Sequence, residues 1–414
     1  MTSAVINETP RISVVIPTYN CYQPLESVIE SLQHQTLMPI EIIVIDSSEN
    51  GKTQTIVDVL QGDNIKYEKV DNAYPGKARN IGAELTAGEW IAFLDSKTIP
   101  DNDWLYRYWH LILAYSSDVI YGVTRFDAQT TYQKILRAAT YGRIGHQTVP
   151  GTLINKKIFN DSTGFLEHVR MGEDIEWRER LVKNGFNIYR NDEPVVTYTG
   201  LPDNFSSMVK KYLTSAYHTA RLNILRNVKD AYLSLLLILS AIILPKWNHL
   251  IEGWNANPLF IPHVTKIYLM ALVWLFLIYQ LVNYIFFRNI SQTLFPRTLK
   301  LMVLVFITIA VYRWNAVIAG WMEDAVLYIP HITKMYVGGL IATSIFFRGL
   351  FLPLHRRVEP EFLFPFRWIK VGLLGLSLDL LKGPGYIVGS VLSFFKLSRH
   401  RLNDYSKELI ESEI

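Results

Sequence analysis

The sequence predicts an α/β domain with a mostly parallel sheet, followed by an all-α transmembrane domain. Short β-branched runs alternate with helical patterns over residues 1–205, which is typical of a sheet covered by helices. Long apolar runs begin at position 231. Half of the 414 residues are hydrophobic and the mean hydropathy is +0.14. We therefore expect part of the chain to lie in lipid.

Four segments of the N-terminal domain are predicted strands: RISVVIP, EIIVIDSS, IKYEKV and WIAFLD. Two segments between them, PLESVIESLQHQ and GKARNIGAELTA, have the apolar spacing or composition of helices. Strands that alternate with helices form parallel sheets with helices on both faces. Ligands of such sheets bind beyond the carboxyl ends of the strands.

Polar residues follow three of these strands, at the edge where a ligand is expected. The strand-end residues are Pro17, Thr18 and Asn20, then Asp46, then Asp95 and Lys97. Each has a simpler explanation on its own, since Asp46 could cap the next helix and Asn20 could form a turn. Their convergence at one edge nevertheless favours a binding site.

Two cations, Lys77 and Arg79, open the helix in GKARNIGAELTA. Cations are unfavourable at a helix N-terminus, where the backbone dipole is positive, unless an anion is bound there. A diphosphate would remove that conflict. A solvated helix start is the alternative.

Two carboxylates, Glu173 and Asp174, open a later helix in GFLEHVRMGEDIEWRERL. They could simply complement the helix dipole, or one could act as a general base. Asp174 and Arg178 are four residues apart and could share a face. An arginine there would keep the carboxylate ionised, with Trp177 as a neighbouring support.

These segments, together and in this order, resemble family 2 glycosyltransferases with a Rossmann-like GT-A fold. The resemblance covers about residues 11–200 and implies inverting transfer of a sugar from a nucleotide donor, a UDP- or GDP-sugar. By position, Thr18 and Asp46 would contact the nucleoside, and Lys77 and Arg79 would lie near the base or diphosphate. Asp95 would begin the metal-binding DxD element. Asp174 would be the catalytic base, with Glu173 beside it. The donor site would be lined by Pro17, Asn20 and Lys97. The acceptor side would be supported by Trp177 and Arg178.

Lys97 departs from the family pattern, because a second carboxylate is expected at that position. Most relatives use Mg²⁺ or Mn²⁺, hard ions that prefer carboxylate and phosphate oxygens. Three alternatives remain open. Asp95 alone could hold the divalent cation, Lys97 could supply the positive charge instead, or the domain could be inactive.

Four apolar runs predict membrane spans, at about 231–247, 267–287, 301–320 and 335–354. A helix needs about 20 apolar residues to cross the hydrocarbon, so the shorter first run could instead lie at the interface. The connection 288–300 and the segment 355–370 are basic, whereas 321–334 is not. The positive-inside rule therefore places the two basic segments in the cytosol. We expect a multi-pass protein of the plasma (inner) membrane with a cytosolic catalytic domain.

Three segments border these spans. Residues 206–230 are predicted to form an amphipathic linker at the interface. Residues 355–398 form a basic connection followed by two interfacial helices, interrupted at Gly383-Pro384-Gly385, or by a fifth span. Residues 399–414 are a polar cytosolic tail. Arg313 lies within the third run, where snorkelling to the outer interface explains it better than acceptor binding.

The expected function is transfer of a sugar to a hydroxyl of a lipid-linked or membrane-proximal acceptor, in the assembly of a cell-surface polysaccharide or glycolipid. The net charge of +4, without a basic tract, excludes nucleic acid as an expected partner, and the single Cys21 excludes an internal disulfide.

A polyprenyl-phosphate sugar transferase is one alternative, although its phosphate nucleophile needs no base. A processive synthase is another alternative, and such an enzyme would carry the motif Q-x-x-R-W. This chain has two Arg-Trp pairs, but the position of the glutamine is occupied by Ala310 in one and by Phe364 in the other. A degenerate donor-binding subunit is the non-enzyme alternative.

Overall fold

The computed structural model describes residues 9–60, 62–222, 224 and 332–412, together with isolated positions between 228 and 314. The chain divides into two compact units, Met1–Ile224 with Ser344–Ile414, and Leu225–Thr343. Within the second unit the structure describes a short helix, Trp247–Leu250. Most of the predicted spans 231–247, 267–287 and 301–320 lie outside the described residues.

The first unit is built on nine strands. They are β1 (Ile12–Thr18), β2 (Glu41–Asp46), β3 (Ile65–Lys69), β4 (Trp90–Phe93), β5 (Thr98–Pro100), β6 (Val119–Phe126), β7 (His146–Asn155), β8 (Ile188–Tyr189) and β9 (Val196–Tyr198). The sheet order is β3-β2-β1-β4-β7-β6-β9-β5, and β8 also pairs with β6. The four predicted strands are β1 to β4, and they are parallel to one another. β7 runs antiparallel to both β4 and β6. The sheet is therefore parallel in its first half and mixed in its second.

Eight helices of this domain complete the α/β fold. They are α1 (Tyr22–Gln33), α2 (Lys52–Val59), α3 (Pro75–Leu85), α4 (Trp104–Tyr115), α5 (Thr131–Thr140), α6 (Lys156–Asp161), α7 (Glu173–Lys183) and α8 (Phe205–Ala220). Every residue of β2 is buried, because helices cover both faces of the central strands. At Gly82 of α3, an added Cβ would lie 2.3 Å from Cγ1 of Val15, so the glycine lets α3 lie directly on β1.

The helices after position 331 include two that are long and apolar enough to cross a bilayer. The first is Ile332–Phe346, which continues through a π-helical turn, Phe347–Phe351, into Leu352–His355. After a short helix, Pro360–Leu363, the chain forms the C-terminal helix, Arg367–Ser412. By length and composition alone, 337–355 and 367–390 qualify as candidate spans. The predicted α/β domain followed by apolar helices is thus confirmed as a fold class.

The C-terminal helix differs from the prediction of two pieces interrupted at Gly383-Pro384-Gly385. It continues through Pro384 without a break. An added Cβ at Gly385 would lie 3.1 Å from the Ala216 Cβ of α8, and one at Gly389 would lie 2.7 Å from the Ala220 Cβ. These two glycines are four residues apart on one helix face. They therefore serve close packing against α8 rather than interruption of the helix.

Candidate active site

The end of β1 contributes a buried hydroxyl and a constrained turn. Thr18 is buried, and its Oγ1 has no hydrogen-bond partner among the described residues. Pro17 precedes it in β1 and is half-buried. Asn20 is exposed with a φ of 50°, and its N–H donates to Oγ of Ser48 at 2.7 Å. The predicted strand-end residues therefore do meet at one edge of the sheet.

Asp46 is fully buried at the end of β2 and is held from both sides. Its Oδ1 accepts from the backbone N–H of Ser48 at 2.9 Å and also from the Ser48 hydroxyl. Its Oδ2 accepts from the Tyr67 hydroxyl at 2.9 Å, with Lys69 Nζ at 3.9 Å. Burial, together with the Asp46 carboxylate, raises the pKa of Tyr67 above its ordinary value. Asp46 therefore organises the loop after β2, and its contact with a nucleoside stays a prediction.

Arg79 joins two predicted site residues that are distant in sequence. Its Nη2 donates to Oδ1 of Asp95 at 2.7 Å, and its Nη1 donates to Oε1 of Glu173 at 2.9 Å. The side chains of Arg79 and Glu173 are 5% and 6% exposed, whereas that of Asp95 is 36% exposed. We predicted Arg79 as a cation facing the base or diphosphate. The structure instead buries it between two carboxylates, because its charge is needed to compensate theirs.

Lys77, on the same helix, is half-buried and has no hydrogen-bond or ion-pair partner among the residues that the structure describes. It is thus the cation of the predicted pair that is available to an anion.

Glu173 and Asp174 differ in environment although they are adjacent. Burial raises the pKa of Glu173 to about 7, with Asp174 acting in the same direction and the Arg79 charge in the opposite one. Asp174 is half-buried, and within the described parts of the chain no hydrogen bond or ion pair engages its carboxylate. Both lie in the first turn of α7, which begins after Gly172 at a φ of 93°. The free carboxylate is therefore Asp174.

The predicted support from Arg178 and Trp177 takes a different form. Arg178 forms no ion pair with Asp174; its Nη1 donates to the backbone oxygen of Gln147, and its guanidinium lies 5.8 Å from the Tyr121 ring centre. Trp177 is fully buried among phenylalanine side chains, and its Nε1 donates to Oγ of Ser162 at 3.0 Å. Arg178 thus ties α7 to β7, and Trp177 is a core residue rather than an acceptor contact.

Lys97 is exposed in the loop after Asp95, and a second lysine lies near it. Lys211 of α8 donates to the Tyr198 hydroxyl at 2.9 Å. Burial, with a further contribution from the Lys97 charge, lowers the pKa of Lys211 to about 8. The backbone oxygen of Lys97 accepts from the N–H of Thr199 at 3.0 Å. Lys211 and Tyr198 were not predicted, because no local pattern relates them to position 97.

At Asp95, the described residues offer a divalent cation a single free carboxylate oxygen rather than a cluster of ligands. Among the described residues, no group of three His, Cys, Asp or Glu side chains could hold an ion. Asp95 gives one oxygen to Arg79 and keeps the other without a described partner. Mg²⁺ is commonly held by one or two carboxylates together with substrate phosphates. The remaining oxygen of Asp95 fits that role.

Residues 13–173 match the sequence profile described as Glycosyl transferase family 2. Glycosyltransferase AglE of Haloferax volcanii is 24% identical over 217 residues, which are 49% of this chain and 70% of AglE. The GalNAc(5)-diNAcBac-PP-undecaprenol beta-1,3-glucosyltransferase of Campylobacter jejuni is 38% identical over 90 residues, 21% of this chain and 29% of that enzyme. The N-terminal domain is therefore similar to the family 2 glycosyltransferases over residues 13–173.

Solved structures with similar chains include S. aureus TarS 1-349 in complex with UDP-GlcNAc. It has a TM-score of 0.38 and 19% identity over 59% of this chain and 76% of that one. The mannosyltransferase PcManGT of Pyrobaculum calidifontis, in complex with GDP-Man and Mn²⁺, has a TM-score of 0.40 and 18% identity over 52% and 63% of the two chains.

Proposed function

We propose that this protein is a membrane-bound inverting glycosyltransferase that moves a sugar from a UDP- or GDP-sugar to a hydroxyl of a lipid-linked acceptor. The observation that carries the proposal is the state of Asp174. Within a domain that matches the family 2 profile, it is a half-buried carboxylate at a helix N-terminus that has no partner among the described residues, next to the ion pair of Arg79 and Glu173. A carboxylate so placed is able to accept a proton from an attacking hydroxyl.

In this mechanism each residue has one task. Asp174 takes the proton of the acceptor hydroxyl as its oxygen attacks the anomeric carbon, and a single displacement inverts the configuration there. Arg79 holds Glu173 and Asp95 in fixed positions. Negative charge that develops on the leaving nucleotide diphosphate is stabilised by nearby cations, and the available side chains are Lys77 and Lys97.

A divalent cation, Mg²⁺ or Mn²⁺, would be held by Asp95 together with the donor phosphates, and it would supply Lewis-acid stabilisation of the leaving group. Lys97 stands where a second carboxylate would serve the metal. We therefore propose that metal and lysine share the charge stabilisation.

The proposed setting is the cytosolic face of the plasma (inner) membrane, in the assembly of a cell-surface polysaccharide or glycolipid. The candidate spans 337–355 and 367–390 support attachment to a membrane, and an undecaprenol-linked acceptor is named for the Campylobacter jejuni relative. A membrane-attached catalytic domain suits an acceptor that cannot leave the bilayer. The multi-pass arrangement with a cytosolic domain is part of this proposal.

The test is a screen of nucleotide sugars against membrane-extracted lipid acceptors, with Mn²⁺ and with chelator, followed by two variants. Asp174→Asn is expected to lower transfer by about 100-fold or more while nucleotide binding is unchanged. Glu179→Gln, an exposed carboxylate of the same helix, is the matched control and is expected to retain activity.

Full activity of Asp174→Asn would contradict the proposal. It would favour a polyprenyl-phosphate sugar transferase, whose phosphate nucleophile carries no proton that must be removed. Neither transfer nor donor hydrolysis with any donor and ion would instead favour a degenerate donor-binding subunit.

A further inference from the structure

A cavity beside the C-terminal helix contains an excess of positive charge. It has a volume of about 270 Å³ and lies where α5 and α8 meet the segment after Ser344. Its charged lining residues are Arg348, Arg356, Asp379 and Lys382. Three cations thus face one carboxylate, and the cavity has a net positive charge.

Among the described residues, only one of these cations forms an ion pair. Nε of Arg348 donates to Oδ2 of Asp379 at 2.8 Å. Arg356 donates to the backbone oxygen of Thr140, and Nζ of Lys382 lies 5.0 Å from the centre of the Tyr212 ring. Within the described residues, no carboxylate forms an ion pair with Arg356 or Lys382. Asp379 lies close enough to act on both cations, but its carboxylate is paired with Arg348. The three cations therefore exceed the charge of the one carboxylate, and an anion that joins Arg356 and Lys382 would lower the cost of burying them.

The surface next to the cavity is apolar. Leu352 lines the cavity, and its neighbours Phe351 and Leu354 are 56% and 39% exposed. They lie in the candidate span 337–355, and Arg348 belongs to its π-helical turn, a feature frequently found at functional sites. A ligand that satisfies both features has an anionic head and an apolar tail.

The cavity is connected to the candidate active site through an aromatic layer. The Tyr212 hydroxyl lies 3.4 Å from that of Tyr141, and both line the cavity. Tyr141 stacks on Phe126 at 3.6 Å, and Phe126 lies 5.5 Å from Tyr198. Tyr198 accepts from Lys211, the residue before Tyr212. Adjacent residues of α8 therefore contact the cavity and the side of the donor site.

We propose that this cavity binds the phosphate or diphosphate headgroup of the lipid-linked acceptor, with Arg356 and Lys382 as its ligands. The role of the lipid as acceptor rests on the proposed function, whereas the binding of a lipid phosphate does not. Charge-assisted hydrogen bonds from an arginine and a lysine to phosphate oxygens would satisfy both free cations. The apolar surface around Phe351 would receive the start of the lipid chain.

The test uses the purified full chain in phosphatidylcholine nanodiscs, with three probes: a polyprenyl diphosphate, phosphatidylglycerol and inorganic pyrophosphate. Wild-type protein is expected to bind the polyprenyl diphosphate most tightly. Lys382→Gln and Arg356→Gln are each expected to weaken that binding about tenfold, since each removes one charge-assisted contact. Lys382→Arg should restore it, and Lys370→Gln, which removes an exposed cation from the same helix, should not change it.

Each outcome decides between sources of the phosphate. Equal binding by Lys382→Gln and Lys370→Gln overturns the proposal. Pyrophosphate binding as tight as that of the lipid identifies a site for a soluble anion, and equally tight phosphatidylglycerol binding identifies an ordinary membrane-lipid site; both results overturn the acceptor site. Sugar transfer and nucleotide binding are measured separately on the same samples. If transfer fails while the variant pattern holds, the proposed function is wrong and the phosphate site remains.

Discussion

Replacement of Arg79 by methionine removes the cation that is paired with buried Glu173 in the described part of the chain. In the folded protein, burial raises the pKa of Glu173 to about 7 from an ordinary value of 4.5, and Arg79 acts against that rise. Without Arg79 the pKa rises further. A raised carboxyl pKa means that the folded state holds a proton that the unfolded state releases, so stability falls as pH rises up to the folded-state pKa.

The free energies of unfolding of the wild type and the variant should therefore diverge as the pH rises above the folded-state pKa of wild-type Glu173. The contribution of Glu173 to wild-type stability stops falling near pH 7, whereas in Arg79→Met that contribution continues to fall until the higher pKa of Glu173 in the variant. One unit of pKa shift corresponds to about 1.4 kcal/mol. The destabilisation should thus be larger by about 2 kcal/mol at about pH 8.5 than at about pH 7. The loss of the Asp95 contact adds little, because Asp95 is 36% exposed.

The assay is equilibrium urea unfolding of the full chain in detergent, followed by tryptophan fluorescence, since Trp177 is buried in α7 four residues after Glu173. Glu173→Gln in the Arg79→Met background should abolish the added pH dependence. Arg125→Met, which breaks the more exposed pair with Asp101, should cost at most about 1 kcal/mol without that dependence. A penalty for Arg79→Met that is equal at both pH values would refute the reasoning.

Three further predictions concern other parts of the molecule. Lys97→Asp should increase the dependence of donor turnover on Mn²⁺; an unchanged response in a titration against chelator would make Lys97 a bystander. Tyr67→Phe should lower the free energy of unfolding by about 1–3 kcal/mol, because Oδ2 of buried Asp46 loses its hydroxyl donor, and an unchanged urea midpoint would contradict this. Gly389→Leu should loosen the C-terminal helix and speed its proteolysis, because an added Cβ there would lie 2.7 Å from α8; Gly338→Leu, with nothing within 4 Å, is the control and should cleave at the wild-type rate.

Local patterns sufficed for the first half of the catalytic domain. β1, β2 and β4 are short apolar runs, and a strand between covering helices must be apolar on both faces, so its sequence reveals it. β3, with the sequence IKYEK, lies at the edge of the sheet and is only partly buried. The position of the polar residues after these strands could also be predicted from the sequence, because parallel strands bring their carboxyl ends to one edge of the sheet. The antiparallel second half was not predicted, since strand direction depends on distant partners.

Residue roles at the site depended on contacts that no local pattern contains. Arg79 and Glu173 are 94 positions apart, and a cation near a helix start predicts an anion without specifying which. Lys211 donates from α8 to Tyr198 at the end of β9, although the sequence suggested α8 only as part of a membrane-surface linker. Glycine and proline near position 384 predicted a break, but packing against α8 outweighed that local preference.

The sequence by itself determined the fold class, the resemblance of the N-terminal domain to family 2 glycosyltransferases and the edge of the sheet where polar strand-end residues meet, because periodicity and strand ends are local properties. Only the tertiary structure decided which carboxylate is free and which is paired. It also decided that two cations beside the C-terminal helix, Arg356 and Lys382, form no ion pair with a carboxylate of the described residues. The physical reason is that burial and ion pairing depend on residues far apart in the chain, and these set the energy of a charge more strongly than its sequence neighbours do.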